Sequence, residues 1–381
     1  MTYIDIHVLQ TVPPSNINRD DTGSPKTGLF GGVRRARVSS QAWKRAVRVY
    51  FRQHLDASQL GYRTKRIVEL VTREIQSRGI GDEAHAEELA EKVLTAAKIT
   101  LTKPKKRAPK KKAEEESEDP TAAQSEYLVF ISTGQISNLA ELAVAAENEG
   151  GPVAKNDAQA AFQADQSIDV ALFGRMVADD AVLNVDAAAQ VAHALGVSPV
   201  DNEFDYFTAI DDLQDEDHQT GAGMIGTVEF NSSTLYRYAT LNVDGLLHNL
   251  GDPDATARAA ATFVEAFIRS MPTGKQNTFA NRTLPDAVVV IVRDDQPVNL
   301  VGAFEDPIRP KPMESVVISA AKKLALHSKE LNAAYGTPIG SWTSGPASVT
   351  EHLADMGPCV PVTDLVTTVN DVVTDALRRT P

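Results

Sequence analysis

The alternation of apolar and polar residues at the start of the chain predicts a β-strand over 2–9 and a helix from residue 41. In the strand, Ile4, Ile6 and Val8 alternate with polar residues, so one face is expected to be buried, and Pro13-Pro14 is expected to end it. Serine is a good N-cap, so the helix is predicted to begin at Ser39 or Ser40. Its apolar positions follow helical spacing and are expected to face the core: Trp43, Ala46, Val47, Tyr50 and His54.

The remaining periodic segments predict an α+β protein. Helical spacing predicts helices over 63–77, 82–99, 137–146, 158–162, 187–195, 254–269 and 315–334. Strand-like runs predict strands over 127–132, 167–177, 227–243 and 287–292, and residues 274–277 are expected to form a polar loop. A β, α start followed by β, β, α, β is typical of a ferredoxin-like or RRM-like domain that long insertions interrupt.

Basic residues are concentrated between residues 19 and 52, although the 381-residue chain has a formal net charge of −13. This segment holds nine Lys or Arg residues against Asp20 and Asp21. Helical geometry places five polar side chains opposite the apolar face: Gln41, Lys44, Arg45, Arg48 and Arg52. In front of the helix, Gly31-Gly32 would allow close backbone approach, and the helix start would present free N–H groups to an anion. The pattern predicts a surface for a nucleic-acid backbone, with a solvated helix face as the alternative.

Composition narrows the remaining classes of protein. Cys359 is the only cysteine, which excludes an internal disulfide and a thiolate metal cluster. The eight histidines never recur at i, i+2 or i, i+4 spacing, so we predict neither a metal site nor a cofactor. No run approaches the ~18 apolar residues of a membrane span, and the first residues do not resemble a signal peptide. We therefore expect a cytoplasmic protein without a membrane partner.

Two segments have a strongly biased charge. Residues 103–112 carry seven cations and 114–119 carry five acids, which predicts a disordered surface loop over 101–125. This loop would be a self-neutralising linker or a flexible arm for DNA. Residues 201–217 hold eight acids, no Lys or Arg, and the aromatic residues Phe204, Tyr206 and Phe207. That segment is predicted to contact another protein, or to bring its rings to bases while its acids meet a basic neighbour.

Five motifs in this order resemble one protein family. They are Asn18-Arg19-Asp20-Asp21, FGGVRRARVSSQ at 30–41, FGRM at 173–176, FTAIDDL at 207–213 and FNSSTLYRY at 230–238. Together they resemble the CasC-type backbone subunit of the type I-E CRISPR Cascade complex, a crRNA-guided DNA surveillance complex. The resemblance runs from about residue 3 to 310. The insertion at 103–119 departs from the family pattern.

The resemblance implies a hand-shaped, non-catalytic subunit with an RRM-like palm, helical fingers and a protruding thumb β-hairpin. The palm would comprise 1–60, 165–198 and 227–310, the fingers 61–164 and the thumb 199–226, while the loosely matching 311–381 would complete the palm region. Copies of such a subunit stack along the crRNA, and each grips the RNA backbone while the next copy's thumb displaces a base. The implied partners are the crRNA, target DNA paired with the guide, neighbouring copies and other Cascade subunits.

The positions that match the family's crRNA contacts are Arg19, Lys26, Ser39, Gln41, Lys44 and Arg48. Met176 and Phe207 match the apolar pair around the displaced nucleotide, with core packing and hairpin packing as the respective alternatives. We add seven further RNA-binding candidates: Arg34, Arg35, Arg37, Arg45, Arg175, Lys275 and Gln276.

Two other classes of function remain open. The first is a metal-dependent RNA nuclease, similar to the backbone subunits of type III effector complexes, which would use an aspartate such as Asp20, Asp21, Asp179 or Asp180. Adjacent acids on a strand point in alternate directions and rarely converge on one metal, which argues against it. The second is a purely structural filament protein that uses the basic helix between subunits, and co-purified RNA would exclude that class.

Overall fold

The structure, a computed structural model, describes residues 1–103, 122–209, 224–310 and 312–379. The strands are β1 (Tyr3–Ser15), β2 (Thr27–Phe30), β3 (Val33–Val38), β4 (Gly61–Thr64), β5 (Leu101–Thr102), β6 (Gln124–Ser125), β7 (Val129–Ser132), β8 (Ala189–Val191), β9 (Ala194–Gly196), β10 (Glu203–Ala209), β11 (Met224–Asn242), β12 (Ala287–Arg293) and β13 (Gly340–Ser344). The helices are α1 (Ser40–His54), α2 (Ile67–Ser77), α3 (Glu83–Ala96), α4 (Thr133–Glu149), α5 (Lys155–Gln163), α6 (Ile168–Phe173), α7 (Val243–Leu250), α8 (Pro253–Arg269), α9 (Gln276–Phe279), α10 (Val316–Tyr335), α11 (Ala347–Thr350) and α12 (Val362–Arg379).

The chain divides into two compact units. We call Met1–Tyr50, Ala189–Asp244 and Ala257–Pro381 the sheet unit, and Phe51–Ala188 with Gly245–Thr256 the helical unit. The sequence-based division placed 51–60 and 165–188 with the palm, whereas here they lie in the helical unit. The assignment of palm, fingers and thumb remains a prediction.

The sheet unit contains an antiparallel sheet with the strand order β13-β12-β1-β11-β9-β3-β2, in which β8 and β10 also pair with β11. β1 is a central strand, since Tyr3 pairs with Asn242 on one side and with Arg293 on the other. It continues through Pro13-Pro14 as far as Ser15, with a shift of register after Val12, so the expectation that the prolines end it was wrong. An irregular pairing is one of the places where a strand tolerates proline.

Both faces of β1 are buried, whereas the alternation of residues predicted only one buried face. Ile4 and Ile6 are fully buried, and so is Asp5 on the opposite face. The hydroxyl of Tyr238 donates a 2.8 Å hydrogen bond to Asp5 Oδ1. The Nδ1 of His7 lies 2.9 Å from the hydroxyl oxygen of Tyr236. These bonds satisfy polar groups that would otherwise be costly to bury.

Helices cover both faces of this sheet. On one face Trp43 of α1 is fully buried, and the Arg237 guanidinium carbon lies 3.8 Å from its ring centre and 4.5 Å from that of Phe267 in α8. On the other face Leu324 of α10 packs in a cluster with Tyr236. Since Tyr236 and Arg237 are consecutive on β11, they point to opposite faces. Thus α1 and α10 lie on opposite sides of the sheet.

The helical unit has its own core, which α2, α3, α4 and α5 surround. Ile67, Leu94, Leu139 and Phe162 are among its buried residues. Ser132 begins α4 with a capping box that it forms with Gln135, and β4 pairs with β7. Such a core allows this part of the chain to hold its own shape.

Two predicted elements have the wrong type. The apolar run after Ser167 forms helix α6 and ends at Gly174, which has a φ of 76°. A short run that is buried throughout does not distinguish a strand from a helix.

For residues 187–195 the sequence predicted a helix, but this stretch contains β8 and the start of β9, and both strands pair with β11. Pairing with the long β11 outweighs the helix propensity of alanine. In addition, His54 is exposed rather than part of the apolar face of α1.

The described residues form a mixed α/β chain with a large antiparallel sheet, as an α+β protein requires, and the RRM-like arrangement remains a prediction. The predicted disordered loop begins and ends as paired strands β5 and β6, while 104–121 lies outside the described residues. The predicted thumb begins as a hairpin of β10 and β11, while 210–223 lies outside the described residues. Of the expected loop at 274–277, the last two residues form the start of α9.

Candidate nucleic-acid interface

The loop between β1 and β2 carries the first two cations of the candidate site. Asn18 organises it, because its carbonyl oxygen accepts a 2.9 Å hydrogen bond from the Lys26 amide and its Oδ1 accepts a 2.8 Å bond from the Ser39 amide. Arg19 pairs with Pro25 through an isolated bridge, its side chain is exposed, and that of Lys26 is half-buried. The loop is therefore attached to both β3 and the start of α1.

Asp20 has a structural role in the same loop. Its Oδ1 accepts hydrogen bonds from the amides of Thr22 and Ser24, each at 3.0 Å, and from the Thr22 hydroxyl at 2.7 Å. The hydroxyl bond is the main reason why the pKa of this carboxyl is lowered. In the helical unit, Asp179 accepts from the Thr100 amide and Asp180 from the Val182 amide. These contacts show that three of the four aspartates considered for a nuclease, Asp20, Asp179 and Asp180, hold local structure.

The hairpin of β2 and β3 presents Arg34 and Arg37. Arg34 is exposed and donates to Thr27 Oγ1 at 3.2 Å, while Arg37 is half-buried and its Nε donates to the Thr27 carbonyl at 3.2 Å. Gly31 and Gly32 form the two-residue turn, with φ values of 57° and 76° that favour glycine. A Cβ on Gly31 would collide with the carbonyl of Glu305. Turn geometry and this contact give the two glycines a structural reason, and the approach of an anion to this turn stays a prediction.

The first amides of α1 are already bonded within the chain. The Ser39 amide donates to Asn18, the Ser40 amide donates to Nδ1 of His193 at 2.9 Å, and the Ala42 amide donates to Ser39 Oγ at 3.3 Å. The last bond confirms the predicted serine cap. The prediction of free amides for an anion was wrong for these positions, because side chains occupy them.

The polar face of α1 carries the remaining cations. Gln41 and Arg45 are exposed, and Lys44 and Arg48 are half-buried. The pKa of Lys44 is lowered, first by its partial burial and then by the charge of Arg48. A bound anion would relieve this repulsion between like charges. The predicted apolar positions Trp43, Ala46, Val47 and Tyr50 are buried and hold this face in place.

Seven of the predicted cations, which lie on the β1–β2 loop, the β2–β3 hairpin and α1, remain accessible, and we call them the basic surface: Arg19, Lys26, Arg34, Arg37, Lys44, Arg45 and Arg48. Lys275 and Gln276 are half-buried at the start of α9. They follow Gly274, where a Cβ would collide with the carbonyl of Ile17, so this turn adjoins the loop that carries Arg19. Hydrogen bonds therefore connect the segments that carry these cations, since the β1–β2 loop is bonded to β3 through Lys26 and to the start of α1 through Asn18.

Two of the predicted RNA-binding arginines are buried. Arg35 donates to the carbonyls of Phe30, Gly196, Phe304 and Glu305 at 3.0–3.3 Å. In the helical unit, Arg175 donates to Gln135 Oε1 and to the carbonyls of Leu183, Phe162 and Phe130, and it stacks on the Phe162 ring at 4.4 Å. Burial lowers the pKa of Arg175 to about 10. Because both guanidinium groups are committed to the fold, we remove them from the candidate interface.

The two apolar candidates lie in different units. Met176 belongs to the helical unit and is 82% exposed, which excludes the alternative that it is a core residue. Phe207 is half-buried on β10 and packs against Gly226 of β11, where a Cβ would meet its ring. An exposed methionine has no packing role of its own and is available to an apolar ligand surface.

Sequence reasoning missed one side chain of this region, His193. It lies just before β9, in a segment for which a helix was predicted, so no pattern associated it with the basic residues. Asn18 stood in a recognised motif, but its bonds to Lys26 and Ser39 were not foreseen.

Within the described parts of the chain, no helix combines the length and the apolar character needed to cross a bilayer.

Comparisons with known proteins agree on one relationship. A family model described as "CT1975-like protein" matches residues 4–358. A chain of a solved structure described as "CRISPR RNA-guided surveillance complex, pre-nicking" is 32% identical with a TM-score of 0.79, over 96% of this chain and 100% of that chain. A chain of a second, described as "CRISPR RNA-guided surveillance complex", is 29% identical with a TM-score of 0.71, over 96% and 99% of the two chains. No curated protein matches.

Proposed function

The chain belongs to the CT1975-like protein family, and from this premise we propose that it is a crRNA-associated subunit of a Cascade-type surveillance complex in CRISPR antiviral defence. More specifically, we propose the CasC-type backbone subunit of a type I-E complex, which polymerises along the guide RNA and presents its bases to target DNA. We assign no catalytic step to it. Likeness to chains of CRISPR RNA-guided surveillance complexes over almost the whole length supports the proposal.

The basic surface is the observation that carries this function. Seven accessible cations lie on segments that Asn18 and the β2–β3 hairpin hold together, in a chain whose formal net charge is −13. A local cationic surface on an acidic protein attracts a polyanion to that place and repels it elsewhere. The cluster of cations therefore supports binding of a phosphate backbone at this place.

The chemistry of these side chains explains how bases stay readable. Lysine and arginine bind phosphate oxygens, and such contacts fix the position of a strand without reading its sequence. A single strand held by its backbone leaves the pairing edges of its bases free, as guide-directed recognition of DNA requires. One subunit of this kind would serve any guide sequence.

The β10–β11 hairpin supplies the complementary part. Phe204 and Tyr206 are 66% and 64% exposed, and the neighbouring acids Glu203 and Asp205 are exposed as well. Exposed rings and acids on one hairpin suit contact with bases and with the basic surface of an adjacent copy. Because two different surfaces would meet, the contact is head-to-tail, and growth that does not close into a ring yields a filament.

The test is co-expression of the chain with a crRNA, followed by purification and measurement of bound RNA. The wild-type protein is expected to carry RNA that is protected from ribonuclease. The double variant Lys44→Glu, Arg48→Glu reverses two charges of the basic surface and is expected to lose the RNA. Circular dichroism should show that this variant remains folded, since neither side chain belongs to the core.

The matched control is Lys322→Glu, Lys329→Glu. It makes the same change of charge on α10, on the opposite side of the sheet, at side chains that are 50% and 71% exposed. This control is expected to retain RNA. Equal RNA in all three proteins would reject the basic surface as the binding site, and a wild-type protein without RNA would reject the proposed function.

A further inference from the structure

His193 is a polar residue of the sheet unit that the proposed function does not yet use. It directly precedes β9, whose Ala194 pairs with Val38 at the end of β3. This pairing places the imidazole beside the turn that leads into α1, where Nδ1 accepts the 2.9 Å hydrogen bond from the Ser40 amide. Two fixed elements therefore hold the ring.

The bond to Ser40 determines which ring nitrogen carries the proton. A backbone N–H can only donate, so Nδ1 must be unprotonated, and the proton of the neutral ring lies on Nε2. The side chain is exposed, and none of the residues that the structure describes accepts a hydrogen bond from Nε2. The ring thus presents one N–H donor to solvent.

Two cations of the basic surface lie near the imidazole, because Arg37 of β3 pairs with Leu195 of β9, two residues after His193. The pKa of His193 is lowered, first by partial burial and then by the charges of Arg37 and Lys26. These two residues are also joined to each other, since the Arg37 amide donates to the Lys26 carbonyl at 2.9 Å. The imidazole is consequently neutral at neutral pH, and it lies where the positive charges of Arg37 and Lys26 attract an anion.

We propose that His193 is a further RNA-binding residue, whose Nε2–H donates a hydrogen bond to a phosphate oxygen that Lys26 and Arg37 attract. Its Nδ1 meanwhile positions the Ser40 amide at the start of α1. The inference rests on the proposed function and names one contact within it. A neutral donor fixes the orientation of a phosphate without adding a charge, so it should change affinity and leave the salt dependence of binding unaltered.

Two substitutions separate the two roles of the ring. In H193N the amide oxygen occupies the place of Nδ1 and can accept from Ser40, but nothing replaces the Nε2–H. In H193Q the longer side chain brings its amide group near the place of Nε2 and restores a donor, while the bond to Ser40 is lost. If His193 had only a structural role, the effect of a substitution would depend on whether the bond to Ser40 is kept. If His193 binds RNA, the effect on affinity would depend on whether a donor remains at the place of Nε2.

The experiment uses the full chain and fluorescein-labelled poly(U) RNA, with binding measured by fluorescence anisotropy and folding by the thermal midpoint. H193N is expected to bind about tenfold more weakly, the usual effect of losing a hydrogen bond to a charged group. Its thermal midpoint and its salt dependence should match those of the wild-type protein. H193Q is expected to regain most of the affinity even though its thermal midpoint falls.

Wild-type affinity in H193N would overturn the proposal. Affinity that falls only in step with the thermal midpoint across H193N and H193Q would also overturn it, because His193 would then act through the fold alone. A wild-type protein that does not bind poly(U) would reject the proposed function itself, so the two failures are distinguishable.

Discussion

The salt dependence of RNA binding should count the cations of the basic surface that touch phosphate. We consider the double variant Lys44→Ala, Arg48→Ala, which removes two positive charges from the polar face of α1. Both side chains are half-buried and lie outside the core, so the truncation should leave the fold intact. Each lysine or arginine that neutralises a phosphate releases condensed counterions, which makes the affinity fall as salt rises.

The expected magnitude follows from the number of accessible cations. Seven of them line the basic surface, and each contact to a single strand contributes about −0.7 to the slope of log K against log salt. The wild-type slope should therefore approach about −5, and that of the double variant about −3.5. Between about 50 mM and 200 mM salt, this corresponds to a roughly thousandfold loss of affinity for the wild type and a roughly hundredfold loss for the variant.

Anisotropy titrations with labelled poly(U) at a series of salt concentrations give both slopes directly. The control Lys322→Ala, Lys329→Ala removes the same charge from α10, across the sheet, and should keep the wild-type slope. Parallel lines for the wild type and for the Lys44, Arg48 variant would refute the reasoning, because those two cations would then make no phosphate contact.

Three further predictions concern the scaffold. Gly32→Ala should destabilise the protein by about 1 kcal/mol in chemical denaturation, because Gly32 has a positive φ. Gly31→Ala should destabilise it more, because Gly31 also has a positive φ and in addition lies against the Glu305 carbonyl. Equal losses of stability in the two variants would refute that contact. Arg237→Ala should cost about 3–5 kcal/mol, because it empties the space between Trp43 and Phe267, and Arg237→Met should cost less, since it fills that space without a buried charge. Equal costs would refute this reasoning and show that the hydrogen bonds to Gln10 and Phe267, which both variants lose, dominate. Burial lowers the pKa of His7 from 6.5 to about 3, so the folded protein holds a neutral ring that the unfolded chain protonates below pH 6.5. The stability due to His7 is therefore complete above pH 6.5 and should fall by about 2 kcal/mol by pH 5, and urea titrations of His7→Gln should lack that part of the pH dependence.

Local chemistry made several features of the site predictable. The serine cap and the buried stripe of Trp43, Val47 and Tyr50 follow from helical spacing, which is strong in a long amphipathic helix. The exposure of Gln41 and Arg45 follows from the same spacing. Resemblance to a family then connected this helix with distant motifs that no periodicity relates.

The features of the site that the sequence did not reveal depend on contacts between segments that are distant in the chain. Arg34 and Arg35 are adjacent and chemically identical, yet one is exposed and the other is buried, because strand β3 turns one toward solvent and the other toward four carbonyls. An arginine in this motif therefore does not show by itself whether it is exposed for a ligand or buried in the fold. His193 was missed for a related reason, since its position depends on the pairing of β9 with β3, and the alanines around β9 suggested a helix.

The central position of β1 has a consequence for the order in which the protein is made. β1 leaves the ribosome well before its partners, which are residues 231–242 and 287–293. At typical rates of synthesis the strand waits on the order of ten seconds or longer for them. Residues 51–188 of the helical unit are contiguous and emerge in the interval. We expect the core of this segment, formed by α2, α3, α4 and α5, to become protease-resistant on stalled nascent chains first. β1 is buried on both faces in the finished sheet, so we expect it to depend on chaperones until its partner strands are made.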